Sequence, residues 1–326
     1  MQHGAAIDID RLCRRFTTGR RRDKTTVEAV NGISFSVDRG ERLAFIGPNG
    51  AGKSTTIKML TGLLYPSDGE ATVLGIVPWE HRRDLARRIG TLFGQRSQLW
   101  AELPARDSLR MLGAIFDLRP THVDQRIGEL GALLGATELF DRPVRTLSLG
   151  QRMRCELAAA MLHQPDLLFL DEPTIGLDLL GKKLFRELLV GLNEELGTTV
   201  FLTSHDVSDI EFVADRAIVI NEGTIIYDDL VKQMRRDLLA TKRLNIVYQA
   251  GVVVDPVLLA KPGVAVTAVT AVTAVTAETI VIDIDTTQCS VSDVLTDALR
   301  LGPVLDLTVL DPPLEQVIEE IYRGQQ

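Results

Sequence analysis

Between Arg42 and Ile220 the chain keeps returning to one pattern: a short, almost wholly apolar run, a polar turn, then a longer stretch with helical spacing. The apolar runs Arg42–Ile46, Leu167–Leu170, Thr199–Thr203 and Ala217–Ile220 are rich in Val, Ile, Leu and Phe. Runs without polar alternation are expected of strands covered on both faces. Their alternation with helical stretches over residues 1–228 predicts an α/β domain with a mainly parallel sheet. Residues 100–146 break the rhythm. Asp107–Phe116 and Val123–Leu134 both have helical spacing, which predicts a small helical insert within about 98–155. A charged stretch from Asp228 to Arg243 then reads as a boundary, with a first domain over 1–230 and a linker over 231–243.

The tail, 244–326, carries its own signals. Leu244–Tyr248 and Thr279–Ile284 read as strands, and Val291–Leu301 and Leu314–Tyr322 as helices, so a small α+β domain is expected. Within it, Ala265–Ala277 is built of Ala-Val-Thr triplets. A period of three fits neither a two-sided strand nor a helix, and the expectation is a duplicated loop or an irregular hairpin.

The polar turns carry the candidate chemistry. Gly47-Pro48-Asn49-Gly50-Ala51-Gly52-Lys53-Ser54, followed by Thr55, fits the pattern G-x-x-x-x-G-K-[ST]. It lies between an expected strand and an expected helix over Ser54–Leu64, which is the context the motif needs. Glycines let the backbone fold tightly, so that its N–H groups face phosphate oxygens. The helix N-terminus adds partial positive charge, and Lys53 adds a full one near the β- and γ-phosphates. Ser54 offers a hydroxyl to Mg²⁺. A capped glycine turn would share the composition but not this flanking order. Further on, Leu167–Leu170 ends in Asp171-Glu172. A buried strand delivers Asp171 to its tip, where it can hold Mg²⁺, and sets Glu172 beside it to orient and polarise a water.

Just upstream, Leu147-Ser148-Leu149-Gly150-Gln151 precedes a helix expected from about Arg152 to His163. This segment resembles the Leu-Ser-Gly-Gly-Gln signature of the ATP-binding cassette (ABC) ATPases, with Leu149 in place of the first glycine. Residues of about 5 to 230 carry the family's motifs in order. The resemblance implies a P-loop NTPase cassette: a mainly parallel sheet, an antiparallel β subdomain and a helical insert, followed here by the small α+β domain. It also implies that the nucleotide is ATP. Gln95 looks like the glutamine that touches metal or water, Gly176-Leu177-Asp178 like the loop at the dimer interface, and His205 like the switch histidine aimed at the γ-phosphate. Phe16 matches the aromatic position that stacks on adenine, and a core role for it is equally open. Ser148, Gly150 and Gln151 would act in trans, on nucleotide held by a second cassette. The partner is a homodimer mate or a paralogous cassette.

Composition narrows the setting. The 326 residues have a formal net charge of −8 and an isoelectric point near 5.3, against bulk nucleic-acid binding. Cys13, Cys155 and Cys289 stand far apart in no metal-like spacing, as expected of free thiols in a reducing cytosol. Met1–Asp10 has no apolar stretch of the secretory kind. The longest uncharged run, between Lys261 and Glu278, falls short of the roughly 20 apolar residues of a spanning helix. The expectation is a peripheral protein on the cytoplasmic face of the cell membrane, docked to a separate permease. Cassettes with a short tail of this kind resemble exporter subunits. A soluble ABC ATPase is the alternative, although such proteins usually carry two cassettes or a long coiled-coil insertion. Gln98-Leu99-Trp100-Ala101-Glu102-Leu103-Pro104, in the insert, is either a docking surface or, at Trp100, core. The basic residues Arg14, Arg15, Arg20–Arg22 and Lys24, and Arg82, Arg83, Arg87 and Arg88, read first as solvated faces.

Overall fold

The computed structural model describes residues 4–18, 25–93, 97–238, 241–249, 262–272, 277–286, 288–310 and 318. The chain divides into two units, Met1–Val231 and Lys232–Gln326. In chain order the first holds β1 (Ile7–Thr18), β2 (Thr25–Val37), β3 (Arg42–Ile46), α1 (Lys53–Leu60), β4 (Asp68–Val73), α2 (Arg82–Ala86) and β5 (Ile89–Phe93). The insert follows with α3 (Ala105–Ile115) and α4 (Pro120–Leu133), and α5 (Leu149–Met161) leads back to the sheet. Then come β6 (Leu167–Asp171), α6 (Leu179–Leu196), β7 (Thr199–Thr203), α7 (Val207–Val213), β8 (Arg216–Asn221) and β9 (Thr224–Leu230).

Six strands form the central sheet in the order β5-β6-β7-β3-β8-β9, parallel except for β9. Its two faces feed two separate cores. Leu167, Phe169 and Phe201 enter one with Phe45 and Ile218, whereas Leu168, Leu170, Val200 and Leu202 enter the other. This is why no polar residue alternates along these runs: a strand has period two, and here both phases are buried. The first core is closed by the three-stranded antiparallel sheet β2-β1-β4, the second by α5, α6 and the insert.

Phe201 is the hub of the first core. It is fully buried, with its ring 5.4 Å from that of Phe169, 5.5 Å from Phe45 and 6.4 Å from Phe35 on the antiparallel sheet. Phe201→Ala is expected to cost about 3–5 kcal/mol, read as a lower urea midpoint at unchanged slope. A loss below about 1 kcal/mol would mean that the two sheets close over the gap.

Helix boundaries follow local caps. Pro120 at the first turn of α4 begins that helix, as its fixed φ favours. α5 starts at Leu149, ahead of the expected Arg152. The reason is a capping box: Gln151 N donates to Ser148 Oγ at 3.3 Å, and Ser148 N donates to Gln151 Oε1 at 3.0 Å. Trp100 is 39% exposed while its neighbour Leu99 is buried, so Trp100 is not a core residue. Arg14 donates to Tyr65 O at 2.9 Å, and Arg15, Arg87 and Arg88 pair with Glu28, Asp117 and Asp166. Arg20–Arg22 and Lys24 lie outside the described residues.

The stretch expected as a linker, 231–243, instead contains α8 (Val231–Leu238) and the start of β10 (Thr241–Tyr248). Its charges hid a helical period: Val231 and Met234, three apart, are both buried. β11 (Val264–Val272), β12 (Ala277–Asp285), α9 (Val291–Leu301) and β13 (Val304–Leu310) complete the second unit. Its sheet runs β11-β12-β10-β13. Leu244, Ile246, Tyr248, Ile280, Ile282 and Ile284, alternate residues on two strands, bury against Val294 and Ala298 of α9. Tyr248 donates its hydroxyl to Ala298 O at 2.8 Å. The Ala-Val-Thr stretch supplies most of β11 and pairs with β12, its register slipping between Val266 and Ala268. The described part of the stretch is thus strand rather than loop, and the slip makes its antiparallel pairing with β12 irregular. Of the helix expected over Leu314–Tyr322 only Ile318 is described, and it is helical and buried. Among the described residues no helix is long and apolar enough to cross a membrane.

Candidate functional site

The ends of β3, β6 and β7, neighbours in the sheet, open onto one cleft of about 600 Å³. Pro48, Asn49, Gly50, Gly52, Lys53, Ser54 and Thr55 line it from the turn between β3 and α1. Asp171 and Glu172 line it from the tip of β6, and His205 from the turn after β7. Lys58, Leu63, Phe93 and Ile175 complete the wall. Gly47 and Ala51 are buried within the loop itself.

The loop can take this shape only with glycine at key points. Gly52 has φ +111°, and a Cβ there would stand 2.4 Å from Ala29 O. Both facts exclude a larger residue at the N-cap of α1. With the loop so wrapped, Lys53 is 6% exposed, its ammonium donating to Gly47 O at 2.6 Å and Pro48 O at 3.3 Å. The Lys53 Nζ atom also lies 3.7 Å from Glu172 Oε1.

Ser54 Oγ donates to Asp171 Oδ1 at 3.2 Å. Thr203 Oγ1 donates to the same oxygen at 2.6 Å, and it accepts from Glu172 N at 3.2 Å. Glu172 has a left-handed backbone with φ +52°. That turn swings its carboxylate off the strand axis toward the loop after β7, where Glu172 Oε2 lies 2.7 Å from His205 Nδ1 and accepts from His205 N at 3.3 Å. Glu172 is mostly shielded and His205 mostly exposed, with side chains 18% and 61% accessible. The cleft therefore presents a buried cation, a hydroxyl–carboxylate pair of hard oxygens, and a carboxylate hydrogen-bonded to an imidazole. That set can hold a polyphosphate, a Mg²⁺ ion and a water.

Not every residue singled out in the sequence converges here. Ser148, Gly150 and Gln151 line a separate cleft with Gly176, Leu177 and Asp178. Leu149 shapes it: a Cβ on Gly176, itself at φ +80°, would come 3.1 Å from Leu149 Cδ2. Phe16, half-buried on β1 under the Arg14 guanidinium 4.6 Å from its ring centroid, is not among the residues lining the phosphate cleft. Gln95 lies outside the described residues. The segment after it is anchored to α5, because Glu156 accepts from Ser97 Oγ and from Gln98 N at 3.0 Å. Burial pushes the Glu156 carboxyl above the usual carboxylate range, and those hydrogen bonds only partly oppose it. Thr203 was missed as a site residue. Its signal was a hydroxyl closing an apolar strand, and the register that pairs it with Asp171 completes it.

Known proteins resemble this chain in sequence and in fold. The family model described as ABC transporter matches residues 30–175. The ABC transporter ATP-binding protein NatA of Bacillus subtilis (strain 168) is 34% identical over 204 residues, covering 63% of this chain and 82% of NatA. The bacitracin transport ATP-binding protein BcrA of Bacillus licheniformis is 35% identical over 215 residues, covering 65% of this chain and 69% of BcrA. Among solved structures, cbiO1 from Clostridium perfringens, part of the ABC transporter complex cbiONQ, superposes with a TM-score of 0.61 at 26% identity, covering 72% of this chain and 94% of cbiO1. The dimeric bacterial ABC transporter cassette MJ0796 gives 0.61 at 26% identity, covering 69% of this chain and 98% of MJ0796.

Proposed function

This chain belongs to the ABC transporter family as an ATP-binding, ATP-hydrolysing cassette, and we propose that it drives export by a separate membrane permease from the cytoplasmic face of the membrane. The observation that carries the reading is the convergence of the phosphate loop, Asp171, Glu172 and His205 on one cleft.

Phosphoryl transfer needs positioning and charge stabilisation more than covalent chemistry. The loop N–H groups and Lys53 hold the β- and γ-phosphates. Ser54 and Asp171 are oxygen donors suited to Mg²⁺, which would neutralise phosphate charge when bound. Gln95 would join them at the metal or the water. Glu172 would polarise the water, and His205, hydrogen-bonded to Glu172, would be the group aimed at the γ-phosphate. Asp171 and Glu172 keep separate duties because Thr203 fixes one and the left-handed turn redirects the other.

Ser148, Gly150 and Gln151 sit at the N-terminus of α5, outside the phosphate cleft of their own chain. A helix N-terminus favours a γ-phosphate. These residues therefore complete the cleft of a second cassette, so closure depends on ATP. Docking to the permease falls to the insert, where Trp100 (39%), Met111 (42%) and Ile115 (66%) are exposed. Export fits the likeness to BcrA, whose name records bacitracin transport.

Purification of the tagged full chain from its native host in gentle detergent, with mass spectrometry of what accompanies it, tests this. One or two multi-spanning proteins are expected. Recovery with ribosomes, with DNA-repair proteins or alone would leave the ATPase and remove the transporter.

A further inference from the structure

Asp209 lies on α7, outside the phosphate cleft, and is fully buried. Its carboxylate takes side-chain hydrogen bonds from three separate segments. Thr174 Oγ1 donates to Oδ2 at 2.5 Å, Ser204 Oγ to the same oxygen at 2.8 Å, and Arg186 Nε to Oδ1 at 2.6 Å. Thr174 belongs to the turn that follows Glu172, and Ser204 immediately precedes His205. Arg186 stands on α6 and also reaches Asp206, on the other side of His205, at 3.3 Å. Lys182, one turn back on α6, donates to Asp206 at 2.5 Å. Of the partners, Thr174 lies two residues after Glu172, and Ser204 and Asp206 bracket His205.

Such an arrangement is an uneconomical way to stabilise a fold. A buried carboxylate is tolerable only when its acceptors are satisfied, and apolar side chains fill such positions without that desolvation cost. What an apolar residue could not do is hold two hydroxyls and a guanidinium from three segments at one point. The hydroxyls are themselves buried, Thr174 at 3% and Ser204 at 0% exposure, so water does not substitute for the carboxylate.

We propose that Asp209, with Arg186, is a positioning residue for hydrolysis: it ties the turn after Glu172 to the turn bearing His205 and so sets the distance between the two groups. The inference rests on the roles proposed above for Glu172 and His205. Displacement of a reacting group by about an ångström can lower a rate on the order of a hundredfold without touching the binding contacts.

The test uses the full chain with Asp209→Asn, which keeps shape and one acceptor but loses the charge. Thr174→Val and Ser204→Ala each remove one donor. Steady-state hydrolysis, fluorescent-nucleotide affinity and thermal unfolding are measured on the same preparations, well below the unfolding temperature. In Asp209→Asn the expected result is kcat lower by roughly ten- to a hundredfold with KM for ATP and nucleotide affinity unchanged, the two hydroxyl variants falling between. A folded Asp209→Asn with normal kcat would overturn the proposal. So would a kcat that declines only in step with affinity or with the folded fraction. If Asp209→Asn does not fold, normal kcat in both hydroxyl variants overturns it. Glu172→Gln run in parallel separates the two readings. Normal hydrolysis there removes the site assignment itself, whereas a slow Glu172→Gln beside an unimpaired Asp209→Asn removes this inference alone.

Discussion

Glu172→Gln is expected to bind ATP at least as well as the unaltered chain and to hydrolyse it at least tens of times more slowly. The substitution is nearly isosteric. Glutamine can still accept from His205 N, which Glu172 Oε2 does at 3.3 Å. The shape of the cleft is thus retained and only proton acceptance is lost. General-base help is typically worth about 10²–10⁴ in rate, so the effect exceeds any small rearrangement. Binding moves the other way. Glu172 is a negative charge 3.7 Å from Lys53 Nζ, facing the place a γ-phosphate would fill. Removing it relieves repulsion and frees Lys53 for phosphate. Phosphate release and nucleotide affinity measured on one preparation check both halves. Normal turnover would take Glu172 out of the reaction, and weakened binding would mean that its carboxylate supports the loop.

Lys53→Met should have the largest effect on binding. Lys53 is 6% exposed and donates to two carbonyls of its own loop. A hydrogen bond to a charged partner is worth about 1.5–3 kcal/mol, or roughly 10- to 150-fold in affinity. Methionine keeps the apolar stem while deleting the ammonium. The chain should stay folded, because removing a buried charge also removes its desolvation cost. Calorimetric titration with ATP in the presence of Mg²⁺ reads the affinity, and thermal unfolding of the apo chain reads the stability. Affinity close to that of the unaltered chain would show that loop N–H groups alone hold the phosphates.

Why some of this was readable along the chain and some was not follows from the geometry of strands. Arg42–Ile46 and Thr199–Thr203 match β3 and β7 residue for residue, because strands buried on both faces leave an unbroken apolar run ended by polar turns. α5 was placed too late, since Ser148 and Gln151 read as part of a loop until their reciprocal hydrogen bonds make them a cap. Over 231–243 the density of charge masks the helical spacing of Val231 and Met234, both buried positions of α8. At the site, the phosphate loop, the acid pair and His205 each follow an apolar run and are local signals. Thr203 and Asp209 are not. Thr203 matters because parallel register sets it beside Asp171, and Asp209 because it meets Thr174 and Arg186 from other elements. Relations across the sheet leave no mark of spacing in one sequence.

β3, β6 and β7 are side by side in their sheet, with β7 in the middle. The insert with α3 and α4 leaves the chain between β5 and β6, and none of its residues reaches the phosphate cleft. Mutational tolerance should be divided accordingly. If the insert grips the permease as proposed, drift confined to α3 and α4, away from Ser148–Gln151, should retune which membrane partner is gripped while turnover stays constant, so that one engine is refitted by changes in a single excursion of the chain.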